Sequence, residues 1–409
     1  MTGPFFDELE TRDPEARERA LMAALPGQIA HARAHAAYYA DALAGIDPAA
    51  VSSRAALALL PVTRKSDLIR QQRRVPPFGG LNATAPAGLA RLFASPGPIY
   101  DPEGHGRDWW RFARALFAAG FRTGEILHNS FSYHLTPAGA MLESAAHALG
   151  CAVIPGGVGQ TEQQVRAIAD LRPDGYAGTP SFLKILLEKA AELGADVSSL
   201  TKALVSGEAL PPPLRQDLAD RGVAVLQCYG TADLGLVAYE SPARQGMIVD
   251  EGVIVEIVRP GTGEPVPDGE PGEVVVTTFN RDYPLVRFAT GDVSAILAGA
   301  SPCGRTNARI KGWMGRADQT TKVRGMFVHP AQIAEVVRRH PEIERARLVV
   351  SGEAGRDRMV LECVSAMPGS ALAEQVAATL QSVTKLRGAV TFATAAEAEG
   401  WSATIVDRR

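Results

Sequence analysis

The chain has 409 residues and a formal charge of −3, with 46% hydrophobic and 21% charged residues. This is the composition of a globular protein, and the length predicts two domains, because single cores rarely exceed about 250 to 300 residues. No basic segment interleaved with aromatic residues predicts nucleic-acid binding, and no apolar run approaches the roughly 18 residues of a membrane span. We expect a cytoplasmic protein that binds neither nucleic acid nor membrane.

Helical and strand-like patterns alternate through the first half of the sequence. An Ala-rich helical region at 14–44, broken at Pro26-Gly27, precedes a helix at 109–119 and a strand-like run at 125–133. Further helices are predicted at 137–149, 161–171 (with Thr161 as N-cap), 181–193 and 211–222, and short apolar strands at 151–155, 174–180, 202–207 and 224–230. Such alternation predicts a doubly wound α/β sheet.

The pattern changes twice in the second half. The runs 252–260, 272–279 and 283–290 are β-rich and predict a β-subdomain. Beyond residue 318, a helix at 330–339, strands at 345–352 and 357–365 and a helix at 371–386 predict a compact α+β module. We place the boundary after residue 316, which gives an N-terminal domain of residues 1–316 and a C-terminal domain of residues 317–409.

Several motifs, taken together and in order, resemble the phenylacetate–CoA ligase family. They are GEILHNSFSY, LGCAVIPGGVGQTEQQ, GTPSFL, VSGEAL, CYGTADLG, YPLVRFATGDV and MGRADQTTKVRGMFVHPAQI. The resemblance implies the adenylate-forming ligase fold, with a large N-terminal α/β domain that includes a β-subdomain and a small C-terminal α+β lid. It also implies a carboxylic acid, ATP/AMP, Mg²⁺ and coenzyme A as substrates or cofactors, and a homodimer.

For the adenosine part of the nucleotide, the resemblance assigns particular residues. Asp292 would accept hydrogen bonds from the ribose hydroxyls, or it is an ordinary turn aspartate. Tyr229 would stack on adenine, or it is a tyrosine at the edge of the core. The other implied nucleotide-binding residues are Gly207, Glu208, Ala209, Gly230, Thr231 and Arg316.

The phosphate loop is where the chain departs from the family pattern. Residues 94–100 read ASPGPIY, without the lysine and the run of hydroxyls that surround a triphosphate. Two prolines also remove amide donors, which leaves Ser95 and Gly97. Asp233 stands where the family has a glutamate that binds Mg²⁺, and it could still do so.

A second lysine is missing near the C-terminus. Gly400 precedes Trp401, where the family has its catalytic lysine, and no lysine follows Lys385. Lys322 and Arg324, just beyond the domain boundary, could supply the positive charge after lid rotation, and Arg107 is a further candidate. We therefore assign Asp233, Lys322 and Arg324 as candidate catalytic residues.

The resemblance places the acid-binding pocket after the strand at 125–133. Phe131, Tyr133 and His134 suit a flat aryl acid, with Gly157 and Gly159 in its floor. His134 is equally well interpreted as a buried core histidine. Zinc-bearing relatives place their ligands in the β-subdomain, where only Cys303 persists here, so we predict no zinc.

Three functions remain open from the sequence. The first is an acyl- or aryl-CoA ligase whose ATP-activation half-reaction is impaired. The second is an ATP-independent acyltransferase that uses acyl-CoA or an acyl-adenylate. The third is a non-catalytic regulatory protein that binds AMP or CoA. The selective loss of phosphate-handling residues, with the adenosine-side residues retained, favours the handling of an acyl-adenylate or acyl thioester over ATP activation.

Overall fold

The computed structural model describes residues 3–95, 98–317, 321–323, 326–328, 330–352, 357–401 and 403–408. The chain divides into two compact units. The first comprises Met1–Arg259, Gly263–Thr290 and Ala295–Gly312, and the second Pro260–Thr262, Gly291–Ser294 and Trp313–Arg409. The predicted boundary after residue 316 stays a prediction.

The helices follow the predicted order closely. In the first unit they are α1 (Pro14–His35), α2 (Ala37–Ala42), α3 (Arg54–Ala58), α4 (Leu68–Arg74), α5 (Ala113–Ala118), α6 (Ala138–Leu149), α7 (Thr161–Leu171), α8 (Pro180–Leu193) and α9 (Pro212–Asp220). In the second unit they are α10 (Pro330–Arg338), α11 (Ser370–Thr384) and α12 (Ala395–Ala398). None of the helices in the described ranges is long and apolar enough to cross a membrane.

The strands fall into separate sheets. Along the chain, up to residue 310, they are β1 (Thr63–Arg64), β2 (Arg91–Ser95), β3 (Ile99–Glu103), β4 (Ile126–Asn129), β5 (Ala152–Pro155), β6 (Gly175–Gly178), β7 (Lys202–Val205), β8 (Ala224–Thr231), β9 (Gly235–Glu240), β10 (Met247–Val249), β11 (Val253–Val258), β12 (Gly272–Thr278), β13 (Phe288–Ser294), β14 (Ile296–Leu297) and β15 (Arg309–Ile310). The C-terminal strands are β16 (Thr321–Val323), β17 (Met326–Val328), β18 (Ile343–Ser351), β19 (Arg358–Ser365), β20 (Ala389–Phe392) and β21 (Ile405–Asp407).

The main sheet has the strand order β14-β15-β10-β9-β8-β7-β6-β4-β5. Strands β5, β4, β6, β7 and β8 are parallel, and β8 turns back antiparallel into β9. Helices connect the parallel strands because a parallel pair needs a crossover connection. This confirms the predicted α/β class.

Two further sheets confirm the predicted β-subdomain and C-terminal module. The first has the order β1-β13-β12-β11, and its strands β11 and β12 are buried along their whole length. The second has the order β20-β19-β18-β21. Residues from β18, β19, α10 and α11 share one apolar core in the C-terminal unit.

Some predicted boundaries were wrong. The break at Pro26 does not occur, because α1 continues to His35 and the chain breaks at Ala36 instead. Leu25, Ile29 and Ala32 are buried, so packing offsets the hydrogen bond that Pro26 cannot donate. The hydrogen bond missing at Pro26 therefore costs less free energy than exposing the apolar face of α1 to water would.

Three other boundaries differ from the predictions. The helix expected from residue 109 begins only at Ala113, whose amide donates to Asp108 Oδ2 at 3.0 Å. Thr161 is the first residue of α7, and Gln160 occupies the N-cap position without a side-chain hydrogen bond. The strand predicted at 283–290 begins at Phe288.

Candidate active site

The loops that follow the parallel strands meet at one edge of the main sheet. The carboxyl ends of neighbouring parallel strands lie together, and ligands of open α/β sheets bind at such an edge. The sequence assigned functional residues to the loops after β4, β5, β7 and β8, so the topology brings these loops to one edge. They divide into an acid side, an adenosine side and a phosphate side.

The acid side begins directly after β4. Phe131 is 9% exposed and Tyr133 is 36% exposed. The Tyr133 hydroxyl accepts a hydrogen bond from Asn129 Nδ2 at 2.8 Å, which fixes its ring beside the strand. His134 is exposed, so its interpretation as a buried core histidine was wrong.

A buried glutamine, Gln164 on α7, holds the glycine loop after β5. Its Nε2 donates to the carbonyl oxygens of Gly157 at 2.9 Å and Gly159 at 2.7 Å. Its Oε1 lies 2.8 Å from both Ser130 Oγ and His128 Nε2. Because Nε2 donates to two carbonyls, Oε1 is the acceptor and His128 carries its proton on Nε2. Burial lowers the pKa of His128, which keeps the ring neutral.

The backbone of this loop depends on glycine. Gly157 and Gly159 have φ values of 65° and 72°, in the left-handed region that favours glycine. A Cβ at Gly156 would lie 2.7 Å from Gln164 Oε1. Sequence reasoning missed Gln164 and His128. The available signal was a histidine inside the apolar strand ILHN.

The adenosine side combines the loop after β7 with the end of β8. Gly207, Glu208 and Ala209 are exposed, and Gly207 has a φ of 80°. Tyr229 is 8% exposed, and its hydroxyl donates to Thr290 Oγ1 at 3.1 Å. The hydrogen bond anchors the phenol end of the ring. Stacking on adenine stays a prediction.

Close packing explains the small residue at Gly230. A Cβ there would lie 2.6 Å from the Gly235 carbonyl oxygen and 2.8 Å from the Phe112 ring. Gly230 therefore lets β8 approach β9 at the irregular register between Tyr229 and Gly230. The glycine serves packing at this point, and its role in nucleotide binding stays a prediction.

Within the second unit, Asp292 and Arg316 contact each other directly. Arg316 Nη1 donates to Asp292 Oδ1 at 3.1 Å, and Trp313 Nε1 donates to the same oxygen at 3.1 Å. A Cβ at Gly291 would lie 2.6 Å from Arg316 Nη2, so only glycine lets the guanidinium approach this closely. The two residues that the resemblance assigns to ribose and phosphate are thus neighbours.

The altered phosphate loop is a β-hairpin made of β2 and β3. Ser95 Oγ donates to Asp101 Oδ2 at 2.6 Å, which engages the one serine hydroxyl of the loop. Asp101 is fully buried, and burial together with the charge of Asp233 raises its pKa. Gly97 lies outside the described residues.

On the phosphate side, Asp233 makes an ion pair that the sequence did not predict. Lys65 Nζ donates to Asp233 Oδ2 at 2.5 Å, and the Thr231 hydroxyl donates to the same oxygen at 3.3 Å. The Asp233 side chain is 0% exposed and that of Lys65 is 27% exposed. Lys65 lies 168 residues away in the sequence. Local spacing in the sequence could therefore not identify Lys65 as the partner of Asp233.

The structure describes only some of the candidate substitutes for the missing lysines. Arg107 Nη2 donates to the Ala148 carbonyl oxygen at 2.7 Å. The side chain of Lys322 and all of Arg324 lie outside the described residues. Trp401 packs with Val364 and Ala398 in the C-terminal unit. The position after Gly400 is therefore a core position.

Cys303 has polar neighbours from its own segment. Its Sγ lies 3.1 Å from Ser301 Oγ and 3.7 Å from Arg305 Nη1. Among the residues that the structure describes, no group of three or more His, Cys, Asp or Glu side chains is arranged to hold a metal ion. The predicted absence of zinc stays a prediction.

Comparisons with known proteins give the family. A family model described as AMP-binding enzyme matches residues 127–280. A phenylacetate-coenzyme A ligase of Thermus thermophilus is 34% identical over 374 residues, covering 87% of this chain and 83% of that protein. The chain belongs to the phenylacetate–CoA ligase family. A phenylacetate-coenzyme A ligase of Aromatoleum evansii is 31% identical over 336 residues, covering 78% of this chain and 74% of that protein.

A solved structure confirms the fold of this phenylacetate–CoA ligase family member. The open conformation of 2-hydroxyisobutyryl-CoA ligase, in complex with 2-HIB-AMP and CoA, matches with a TM-score of 0.89 at 22% identity, covering 99% of this chain and 95% of that one. This likeness confirms the adenylate-forming ligase fold, and the two relatives confirm the resemblance to the family. The two relatives are acid–thiol ligases. The predicted substrates, ATP or AMP together with CoA, agree with this family.

Proposed function

We propose that this protein joins a carboxylic acid of the aryl class to CoA through an acyl-adenylate, and that its ATP-activation step is impaired. One observation carries the proposal. On the phosphate side, the polar groups bond to one another: Lys65 to Asp233, and Ser95 to Asp101. Within the described residues they form two side-chain pairs and not the run of donors that surrounds a triphosphate.

The two half-reactions make different demands on these residues. In the first, a carboxylate oxygen attacks the α-phosphorus of ATP and pyrophosphate leaves, so charge must be stabilised around three phosphates. In the second, the CoA thiolate attacks the acyl carbonyl and AMP leaves. Losing one preorganised donor or cation costs about 10² to 10³ in rate. Both missing lysines affect the first half-reaction.

The acid side supports the aryl class. Phe131 and Tyr133 offer aromatic surface, and the Gly157–Gly159 loop is fixed by Gln164. A flat ring packs well against such surfaces. Asp292 and Arg316 support AMP binding, because a carboxylate and a guanidinium suit ribose hydroxyls and a phosphate.

Supplying a synthetic acyl-adenylate with CoA tests this proposal, because the adenylate bypasses ATP activation. Thioester formation from the adenylate, with little from acid plus ATP, is the expected result. Transfer from acyl-CoA to an acceptor without nucleotide would favour the acyltransferase. Ligand binding without turnover would favour the regulatory protein. The homodimer, the domain boundary and the cytoplasmic location remain part of the proposal.

A further inference from the structure

The Lys65–Asp233 pair has an unusual distribution of exposure. The Asp233 carboxylate is 0% exposed, whereas the Lys65 side chain remains 27% exposed. Of the two side chains, that of Lys65 is therefore the one that reaches solvent. A carboxylate that binds Mg²⁺ must instead be open to the ion and its waters.

We propose that the Lys65 ammonium takes the place of Mg²⁺ beside Asp233, so that this protein binds its nucleotide without a divalent cation. The inference rests on the proposed nucleotide site and makes it more specific. It gives Lys65, which the sequence did not single out, the role of the cation nearest the phosphate. Asp233 becomes the residue that positions Lys65.

The geometry around Asp233 does not fit Mg²⁺. The ion requires oxygen ligands at about 2.0 to 2.1 Å and keeps several waters. Asp233 Oδ2 already accepts from Lys65 Nζ at 2.5 Å and from the Thr231 hydroxyl at 3.3 Å. Asp233 Oδ1 is buried from solvent and has no hydrogen-bond partner among the described residues. A hydrated ion would have to displace Lys65 or open the packing around Oδ1.

The surrounding groups explain why a lysine is stable in this place. Asp101 and Asp233 repel each other, and Asp233 is among the causes that raise the pKa of Asp101. Tyr283 is buried nearby, and its hydroxyl has no hydrogen-bond partner among the described residues. Asp101 is a second buried carboxyl beside Asp233, and its raised pKa favours the protonated form, so one ammonium suffices to offset the charge of the pair.

A single ammonium also selects among nucleotides. Lysine is a compact point charge that suits one phosphate group. AMP and an acyl-adenylate carry one phosphate, whereas ATP carries three and normally shares its charge with Mg²⁺. We expect this protein to bind AMP at least as tightly as ATP.

Calorimetric titration of AMP and ATP into the full-length protein tests the inference, once in excess EDTA and once with Mg²⁺. We expect both dissociation constants to change by less than about threefold between the two buffers. A tightening of ATP by about tenfold or more with Mg²⁺ would overturn the inference and leave the proposed function standing. Failure of both nucleotides to bind in either buffer would instead overturn the proposed function.

Mn²⁺ provides a second readout on the unmodified protein. In the presence of AMP, which binds Mn²⁺ only weakly, water-proton relaxation should show no protein-bound Mn²⁺. Stoichiometric Mn²⁺ that disappears in Asp233→Asn would contradict the inference. The Mn²⁺ measurement requires no substitution of Lys65, so it tests the inference even if a Lys65 variant does not fold.

Lys65→Gln, with Lys184→Gln as matched control, tests the role of the ammonium itself. Lys184 makes surface ion pairs with Glu188 and Asp217 and is 41% exposed. Losing a charge-assisted contact should weaken AMP binding about tenfold or more in Lys65→Gln and leave Lys184→Gln unchanged. Equal AMP affinity in a folded Lys65→Gln protein would overturn the inference.

Discussion

Replacing Gln164 with leucine should separate the acid side from the rest of the site. Leucine is similar in size to glutamine but removes four hydrogen bonds, two to loop carbonyls and two from Ser130 and His128. At about 1 kcal/mol for each net hydrogen bond, the loss amounts to about 4 kcal/mol. The Gly157–Gly159 loop should lose its fixed conformation.

The thermal consequence can be measured directly. A change of about 4 kcal/mol should lower the melting temperature by about 8 °C, at roughly 2 °C per kcal/mol for a unit of this size. The matched control is Gln163→Leu, because Gln163 is exposed on the same helix. Differential scanning fluorimetry compares the two variants with the unmodified protein.

The functional consequence distinguishes a binding loop from a merely structural one. In Gln164→Leu, the KM for a supplied aryl acyl-adenylate in thioester formation should rise, and AMP affinity should stay unchanged. A melting temperature within about 2 °C of the Gln163→Leu control would refute the hydrogen-bond reasoning. A parallel loss of AMP affinity would refute the assignment of this loop to the acid side.

Two other substitutions test particular residues. Asp292→Ala should abolish the thermal stabilisation by AMP, and an unchanged AMP shift would remove its ribose assignment. Burial raises the pKa of Asp108 to about 7, so the folded state holds a proton that the unfolded state releases above about pH 4. Stability should fall as pH rises from about 4 to 7, by at most about 4 kcal/mol. The Asp108→Asn variant should not lose stability over this pH range. Equal pH profiles of melting temperature in the variant and the unmodified protein would contradict this prediction.

Local patterns predicted most of the fold, because helix and strand periodicities are set by neighbouring residues. The α/β alternation and the β-rich region after residue 230 were both found in this way. Errors arose where tertiary packing overrode a local signal. Pro26 stays inside a helix because its neighbours are buried. Asp108, by accepting from the Ala113 amide, delays the start of α5.

The site was only partly predictable, for a different reason. Motif positions placed Asp233, Tyr229 and the glycine loop at one edge of the main sheet, because they lie at or just beyond the ends of its parallel strands. Their roles there stay predictions. The partners of these residues come from distant segments. Lys65 reaches Asp233 across 168 residues, and the Gln164–His128 contact spans 36. A single sequence carries no local sign of such pairings.

The central claim is that the ATP-activation step is impaired while thioester formation from the adenylate is preserved. Single-turnover rates measure both steps on the same protein, with one aryl acid offered either as its acyl-adenylate or as free acid with ATP and Mg²⁺. We predict that the adenylate forms thioester at least about a hundredfold faster than acid plus ATP, the cost of losing one phosphate-facing cation. Equal rates from the two starting points would contradict the account.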